Sequence, residues 1–574
     1  MDITTMKMYM HNFSLEQLKD FLGRNIVDSI IEWTPDDQTL FTKAKLIDMI
    51  LTVHGINIFK NNDFRKALIS AFPRDVIYSF KDLLSGANKH LSDINQLIEA
   101  ISDITWRDNK ISNKILEVLG ITDNIFEKDC EEESQCTLTS SDKFYELLDY
   151  QFVIKQRILN NLTSGIELNR MLVHMPTGTG KTKTAMHTIC HHYNFNLNQQ
   201  GLVIWVAHTT ELLQQAFDTF NSVWKHLGKG DICVCKLWGS HTIDESQFNY
   251  NGIVFCGIQK LIAMAASSPD TVNKLIEKCS LIVFDEAHKA AALETKNIIE
   301  RFMVRKQGMC DRALIGLTAT PGRVTELNVG NDLLASMFGN KLLSIDTEIM
   351  NYINMSRLEA LNTEADENII SYFQNKRILA KIRKEQLTYP DGLSPSEIGK
   401  IKDTANHNGY DDFTDKALEV IGRNKSRNLS IMRRLRELST ENIPTIVFAC
   451  SVEHGQLLAS MLSIEGIPNA LVIGEMAAQE RANAIQAFKD RDNPINILIN
   501  YEVLTTGFDS TNIKCVFIAR PTQSVVLYSQ MLGRGLRGPQ MGGNEECLLI
   551  DVKDNLEKYN EKLAFAHFDN YWKM

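Results

Sequence analysis

The sequence has no apolar run approaching the ~20 residues that cross a bilayer. Its first ten residues, Met1 to Met10, lack the apolar stretch of a secretory leader. Its eleven cysteines are odd in number and include no Cys-x-x-Cys pair, which argues against a disulfide framework and against a zinc clip. Cys233 and Cys235 alternate with Ile232 and Val234, the pattern of a strand. These absences predict a cytoplasmic protein with no membrane partner. A positive charge balance is missing too, since the formal net charge is -10. The first 140 residues hold about 15 Lys+Arg against about 22 Asp+Glu, so most of the excess lies there. That region is poorly suited to gripping phosphates, whereas the near-neutral remainder can still line a groove with bases.

A chain of 574 residues is too long for one core and predicts three or four domains. Residues 1–126 carry apolar side chains at helical spacing, as in Leu15, Leu18, Phe21 and Leu22 and again in Leu46, Ile47, Ile50 and Leu51, which predicts a bundle of short helices. No catalytic or metal-ligand spacing stands out in it, so the expectation is an interaction domain for a protein partner. Residues 127–143, with Glu131-Glu132-Glu133, read as an acidic linker. Over 144–334, runs that are apolar throughout (171–173, 202–207, 252–256, 281–284, 313–317) alternate with helix-length segments. Such runs suit parallel strands buried on both faces. The rhythm restarts over 431–574, at 445–450, 470–473, 495–499, 514–519 and 547–552. Residues 335–430 between them read as mostly helical and basic, with Lys376, Arg377, Lys381, Arg383 and Lys384. Those bases, with Arg423, Arg427, Arg434 and Arg436 beyond, are either a nucleic-acid face or a solvated helix surface.

The chemistry centres on Pro176-Thr177-Gly178-Thr179-Gly180-Lys181-Thr182, which follows the apolar Met171-Leu172-Val173 and opens a helix-compatible segment. A strand turning into a helix through Gly178 and Gly180 aims several backbone N–H groups at one spot, and the helix dipole adds positive potential there. That spot suits a polyphosphate, with Lys181 on the β and γ phosphates and the Thr182 hydroxyl on a magnesium ion. Met175 stands where the strict pattern has glycine. Downstream, Asp285-Glu286-Ala287-His288 ends the run Leu281-Ile282-Val283-Phe284. At the carboxyl edge of a strand neighbouring the phosphate loop, Asp285 can hold the metal opposite Thr182. Glu286 can orient and deprotonate an attacking water.

With these motifs in order, the sequence resembles the superfamily II helicases and translocases of the DEAD/DEAH type from about residue 145 to 555. Tyr150-Gln151 is similar to the family's adenine-recognition element. Thr209 and Thr210 in Val206–Gln215, and Gln259 in Gly257–Leu261, match strand-contacting motifs. Thr318 and Thr320, in Gly316–Pro321, match the motif that couples hydrolysis to lobe movement, and His288 would bond to them. Val447–Ser451 resembles the fourth motif. Thr505, Thr506 and Asp509 fall in the fifth, the threonines as strand contacts and Asp509 as a nucleotide contact. Gln530, Arg534 and Arg537 fall in the sixth, Gln530-Met531-Leu532-Gly533-Arg534-Gly535-Leu536-Arg537, as catalytic groups. An arginine from a second lobe reaches the γ phosphate only on closure, and such a finger is worth roughly 10³ to 10⁵ in rate.

The resemblance implies an α/β fold: two tandem RecA-like parallel-sheet domains behind an all-α N-terminal domain. It implies an ATP hydrolase that uses ATP and Mg2+ and acts on nucleic acid. The form LGRGLR is closer to the DNA-directed branches, such as the motor subunits of restriction enzymes and repair translocases, so DNA is favoured over RNA. An RNA helicase or remodeller is the first alternative. An ATP-gated binding module acting through a partner protein is the second.

Overall fold

The structure, a computed structural model, describes residues 3–34, 40–85, 88, 91–121, 126, 134–139, 146–164, 168–243, 250–304, 312–319, 329–345, 369–405, 412–490, 492–505, 510–522 and 524–554. Eight strands build a first sheet: β1 (Gln135–Leu138), β2 (Leu168–His174), β3 (Leu202–Ala207), β4 (Ile232–Leu237), β5 (Gly252–Gly257), β6 (Cys279–Asp285), β7 (Arg312–Thr318) and β8 (Leu342–Ser344). Their order is β1-β4-β5-β3-β6-β7-β2-β8, parallel except for β1, which runs antiparallel to β4. Every residue of β3, β6 and β7 is buried, the burial that an unbroken apolar run predicts for a strand covered on both faces.

A second sheet holds β9 (Lys381–Leu387), β10 (Thr445–Phe448), β11 (Asn469–Val472), β12 (Ile497–Asn500), β13 (Cys515–Ile518) and β14 (Glu546–Val552), all parallel, in the order β11-β12-β10-β13-β14-β9. The architecture is thus two parallel-sheet α/β lobes of RecA-like form behind a helical N-terminal domain.

Three strands depart from the sequence expectation. β1 lies inside the stretch read as a linker. It is four residues long and only partly buried, so it leaves no apolar signal, and its ladder to β4 is what orders it. β8 and β9 lie inside the segment read as mostly helical. β9, KIRKEQL, is the outermost strand of the second sheet and exposes Lys381, Arg383 and Lys384. Charge on an edge strand blocks further pairing, and it also erases the apolar pattern by which strands are recognised.

The predicted basic face is largely consumed by carboxylates. Arg427 is fully buried on Asp554 at 2.7 Å, while Arg434 pairs with Glu385, Arg436 with Glu465, Arg423 with Glu453 and Arg383 with Glu546.

The N-terminal domain is helical from Thr4–Met10 to Lys110–Val118, and Ser14, Thr42, Asn61, Asp93 and Asn109 cap its helices as their side chains favour. Phe13, Phe21, Phe59 and Phe64 interlock edge to face in its core, and Trp106 stacks on Phe59. It docks on the second lobe. Helix Lys43–His54 packs on Val452–Ile464, and one core runs from Leu46 and Ile50 into Leu457, Leu458 and Met461. At the seam Asn57 donates to the Glu475 carbonyl, and the Ile56 N–H donates to Glu480. The close approach of Glu480 needs Gly55, where a Cβ would sit 1.5 Å from a carboxylate oxygen. The nine described cysteines are free thiols, and no helix among the described residues is long and apolar enough to cross a membrane.

Candidate active site

The phosphate loop leaves β2 at His174 and enters helix Lys181–His191 through Gly178 (φ 85°) and Gly180 (φ 79°), left-handed positions that glycine occupies without strain. Three neighbours fix its path. The Met175 N–H donates to the Thr318 carbonyl, Tyr150 Oη to the Thr179 carbonyl at 2.7 Å, and the Gln151 amide to the same carbonyl at 2.9 Å. Tyr150 is buried beneath the ring of Phe373, so within this arrangement it braces the loop from below. A Cβ on Gly180 would lie 2.3 Å from the Gln151 amide nitrogen, which explains that glycine.

Asp285 ends β6 and accepts a hydrogen bond from the Glu286 N–H. Between this strand and the phosphate-loop strand β2 lies β7, an order set by the helical crossovers, which residue spacing does not record. Thr318, at the tip of β7, therefore stands in the site between His174 and Asp285, with its hydroxyl 3.4 Å from His288 Nδ1. Glu286 has a left-handed backbone (φ 52°), rare outside glycine. Its carboxylate lies 3.6 Å from Lys181 Nζ and 3.3 Å from His288 Nδ1.

Burial pushes the Asp285 carboxyl up to about 6 against the pull of Lys181. Burial acts on Glu286 as well, but the charges of Lys181, His288, Lys289 and Arg534 outweigh it and hold that carboxylate below its ordinary range. Glu286 therefore stays ionised at neutral pH.

Arg534 arrives from the second lobe and is close enough to Glu286 for the two charges to act on each other. It donates to the Thr505 carbonyl at 2.6 Å. Burial lowers Arg534 and Arg537 to about 10, which still leaves both charged at neutral pH. A Cβ on Gly178 would lie 3.8 Å from Arg537 Cγ, and one on Gly533 would lie 2.3 Å from the Thr177 methyl, so the motif around Arg534 is seated directly on the phosphate loop. The Gln530 amide nitrogen is buried with no hydrogen-bond partner among the described residues. That orphaned donor, the two left-handed glycines and the buried Asp285 fit a bound nucleotide and metal.

The candidate strand contacts are more scattered. Thr209 caps helix Thr210–Leu227 with its hydroxyl, and Thr505 gives its hydroxyl to the Glu502 carbonyl, so each already has a local task. Thr210 and Gln259 are exposed. Thr320, Thr506 and Asp509 lie outside the described residues. Two contacts across the cleft escaped the sequence reading. Arg481 in the second lobe binds Glu211 in the first at 2.7 Å, and Leu379 packs on Gly178. The signal for the second was present: the sixth motif and its continuation are glycine-rich, and Gly533 and Gly538 each mark a close backbone approach.

Comparison with known proteins finds helicase-related families over both lobes. The family described as type III restriction enzyme, res subunit, matches residues 144–323, and the helicase conserved C-terminal domain matches 428–538. The IRC3 protein of Saccharomyces cerevisiae, described as an ATP-dependent helicase, is 24% identical over 71% of this chain and 51% of its own length. Its mitochondrial counterpart in Schizosaccharomyces pombe is 27% identical over 72% of this chain and 58% of its own. The type I restriction enzyme EcoAI endonuclease subunit of Escherichia coli is 22% identical over 73% of this chain and 47% of its own. The chain thus aligns with about half the length of these relatives. Two lobes in series, one supplying the phosphate loop and the Asp285-Glu286-Ala287-His288 strand and the other the paired arginines, make this chain a member of superfamily II, the DEAD/DEAH-type helicases and translocases.

Proposed function

We propose that this protein is an ATP-dependent DNA helicase or translocase that hydrolyses ATP between its two lobes. One observation carries the reading: Lys181 and Glu286 of the first lobe stand 3.6 Å apart, mostly shielded from solvent, within reach of the charge of Arg534 from the second lobe. Pro176 to Thr182 would hold the phosphates, and Thr182 with Asp285 a magnesium ion, which supplies charge neutralisation on the β and γ phosphates. Glu286 takes the proton of the attacking water, while His288 and Thr318 carry its position to the edge of β7. Arg534 and Arg537 enter only when the lobes close, so turnover is tied to lobe movement. Thr209, Thr210, Gln259, Thr505 and Thr506 are the candidate backbone contacts to the strand, with Asp509 on the nucleotide side.

DNA is favoured over RNA by the form LGRGLR and by likeness to a restriction-enzyme subunit. A protein partner would bind the N-terminal domain on the surface left free by its docking on the second lobe. A cytoplasmic site belongs to the same reading. ATPase assays with single-stranded DNA, duplex DNA and RNA in parallel test it. Stimulation by DNA, falling as salt rises because phosphate contacts release counterions, is the expected result. Stimulation by RNA alone would transfer the protein to the RNA-directed alternative. Nucleotide-dependent strand binding without turnover would transfer it to the ATP-gated module.

A further inference from the structure

The segment Tyr372–Ala380 crosses from the first lobe to the second and touches the phosphate loop on the way. It begins within helix Ile369–Asn375, where Phe373 is fully buried with its ring edge-on to Tyr150, 4.9 Å between centroids. Tyr150 in turn holds the Thr179 carbonyl of the phosphate loop. The chain then folds back on itself: the N–H groups of Ile378 and Leu379 donate to the Phe373 carbonyl, and the Gln374 amide donates to Ala380.

Beyond that turn the segment pairs with the backbone on either side of Arg537. The Ala380 N–H donates to the Leu536 carbonyl at 2.8 Å, the Gly538 N–H to Ile378 at 2.8 Å, and the Gln540 N–H to Arg377 at 3.0 Å. Leu379 lies directly opposite Arg537 in this short antiparallel pairing. A side chain at 538 would strike the Arg377 carbonyl, so the approach needs Gly538. Leu379 is buried, and its Cδ2 lies 3.4 Å from where a Cβ on Gly178 would be. Continuing, the chain enters β9 through a bond from the Lys381 N–H to the Glu545 carbonyl.

Arg537 is therefore framed by a strap that also reaches the nucleotide-binding side, through Phe373 on the residue that braces the loop and Leu379 beside the loop itself. A buried side chain that leaves room for little more than the missing Cβ of a loop glycine registers small shifts of that loop, because packed interiors transmit displacement. We propose that Phe373 and Leu379 are positioning residues for ATP hydrolysis, setting the placement of Arg537 over the phosphate loop through the strap Tyr372–Ala380. This rests on the hydrolysis reading above.

The test is a double-mutant cycle on the full-length chain, with kcat and KM for ATP measured at saturating single-stranded DNA and melting temperatures in parallel. Leu379→Ala should lower kcat about tenfold or more, a part of the ~10³ to 10⁵ that a finger arginine supplies, with a smaller change in KM. Leu379→Met should recover most of the loss. Arg537→Ala in the Leu379→Ala background should cost much less than in the wild type, because the arginine is already misplaced. Should Leu379→Ala fold poorly, Phe373→Leu, which keeps apolar volume but loses the edge contact with Tyr150, is expected to show the same split. Multiplicative losses in the double variant, or full kcat in the well-folded single variants, overturn the strap while leaving the hydrolysis reading intact. A wild type without turnover overturns both.

Discussion

Lys181 Nζ and Glu286 Oε1 stand 3.6 Å apart at the mouth of the phosphate loop, each side chain 12% exposed. In the proposed function one charge binds phosphate and the other accepts a proton, and here each faces the other. Lys181→Ala and Glu286→Gln should both abolish nucleic-acid-stimulated ATP hydrolysis, by ~10²-fold or more for the base. Glu286→Gln should retain nucleotide binding, and both variants should keep their melting transition. Undiminished turnover in either would remove the assignment.

Arg481 and Glu211 form a salt bridge between the lobes, and Arg481 follows Glu480, which binds the N-terminal domain. A partly exposed pair of this kind is worth ~0.5 to 1 kcal/mol, too little to hold the fold but enough to bias the closed arrangement of the lobes. Arg481→Glu should reduce strand-stimulated turnover several-fold, and adding Glu211→Arg should restore it. If the reversed pair is no better than the single variant, the bridge has no part in closure.

In the second lobe the Arg427 guanidinium is fully buried, bonded to Asp554 and to the Ala519 carbonyl. Tyr389 Oη also donates to Asp554, at 2.9 Å. Removing one partner strands the other charge away from water, so Asp554→Asn or Arg427→Met should each destabilise the protein by ~3 to 5 kcal/mol. Chemical denaturation measures this, and the double variant should recover a large part of the loss.

His454 is buried, its Nδ1 accepting from the Cys450 N–H and its Nε2 3.0 Å from Asn428 Oδ1. Burial, with the nearby charge of Arg427, holds it down to about 3 against an ordinary value of 6.5. The unfolded chain takes up a proton below the ordinary value and the folded chain does not. The stability present above 6.5 is therefore lost as pH falls toward 3, by ~2 kcal/mol near pH ~5 for this one group. His187 and His192, lowered to about 3 and about 4, act in the same direction. Melting temperatures taken from neutral pH downward should fall, and His454→Gln should fall less steeply. Parallel slopes would show that His454 is not buried in its neutral form.

What could be read from the residues was whatever depends on neighbours in sequence. The runs at 202–207 and 281–284 are apolar because they are covered on both faces, so they marked β3 and β6. Gly178 and Gly180 permit the turn before Lys181, and Arg534 with Arg537 announced a basic element in the second lobe. β9 escaped because an edge strand can be charged, and β1 because four partly buried residues leave no pattern.

Everything that depends on which surfaces meet was settled by packing. The bases of 423–436 gave no hint that Arg427 would be buried on Asp554, 127 residues away. Nor did spacing show that β7 separates β2 from β6, that the acidic N-terminal domain sits on the second lobe, or that Leu379 lies against Gly178. Composition and periodicity record what each segment needs to bury. The choice of partner comes from shape and charge complementarity between segments far apart in the chain, and that exists only once the chain has folded.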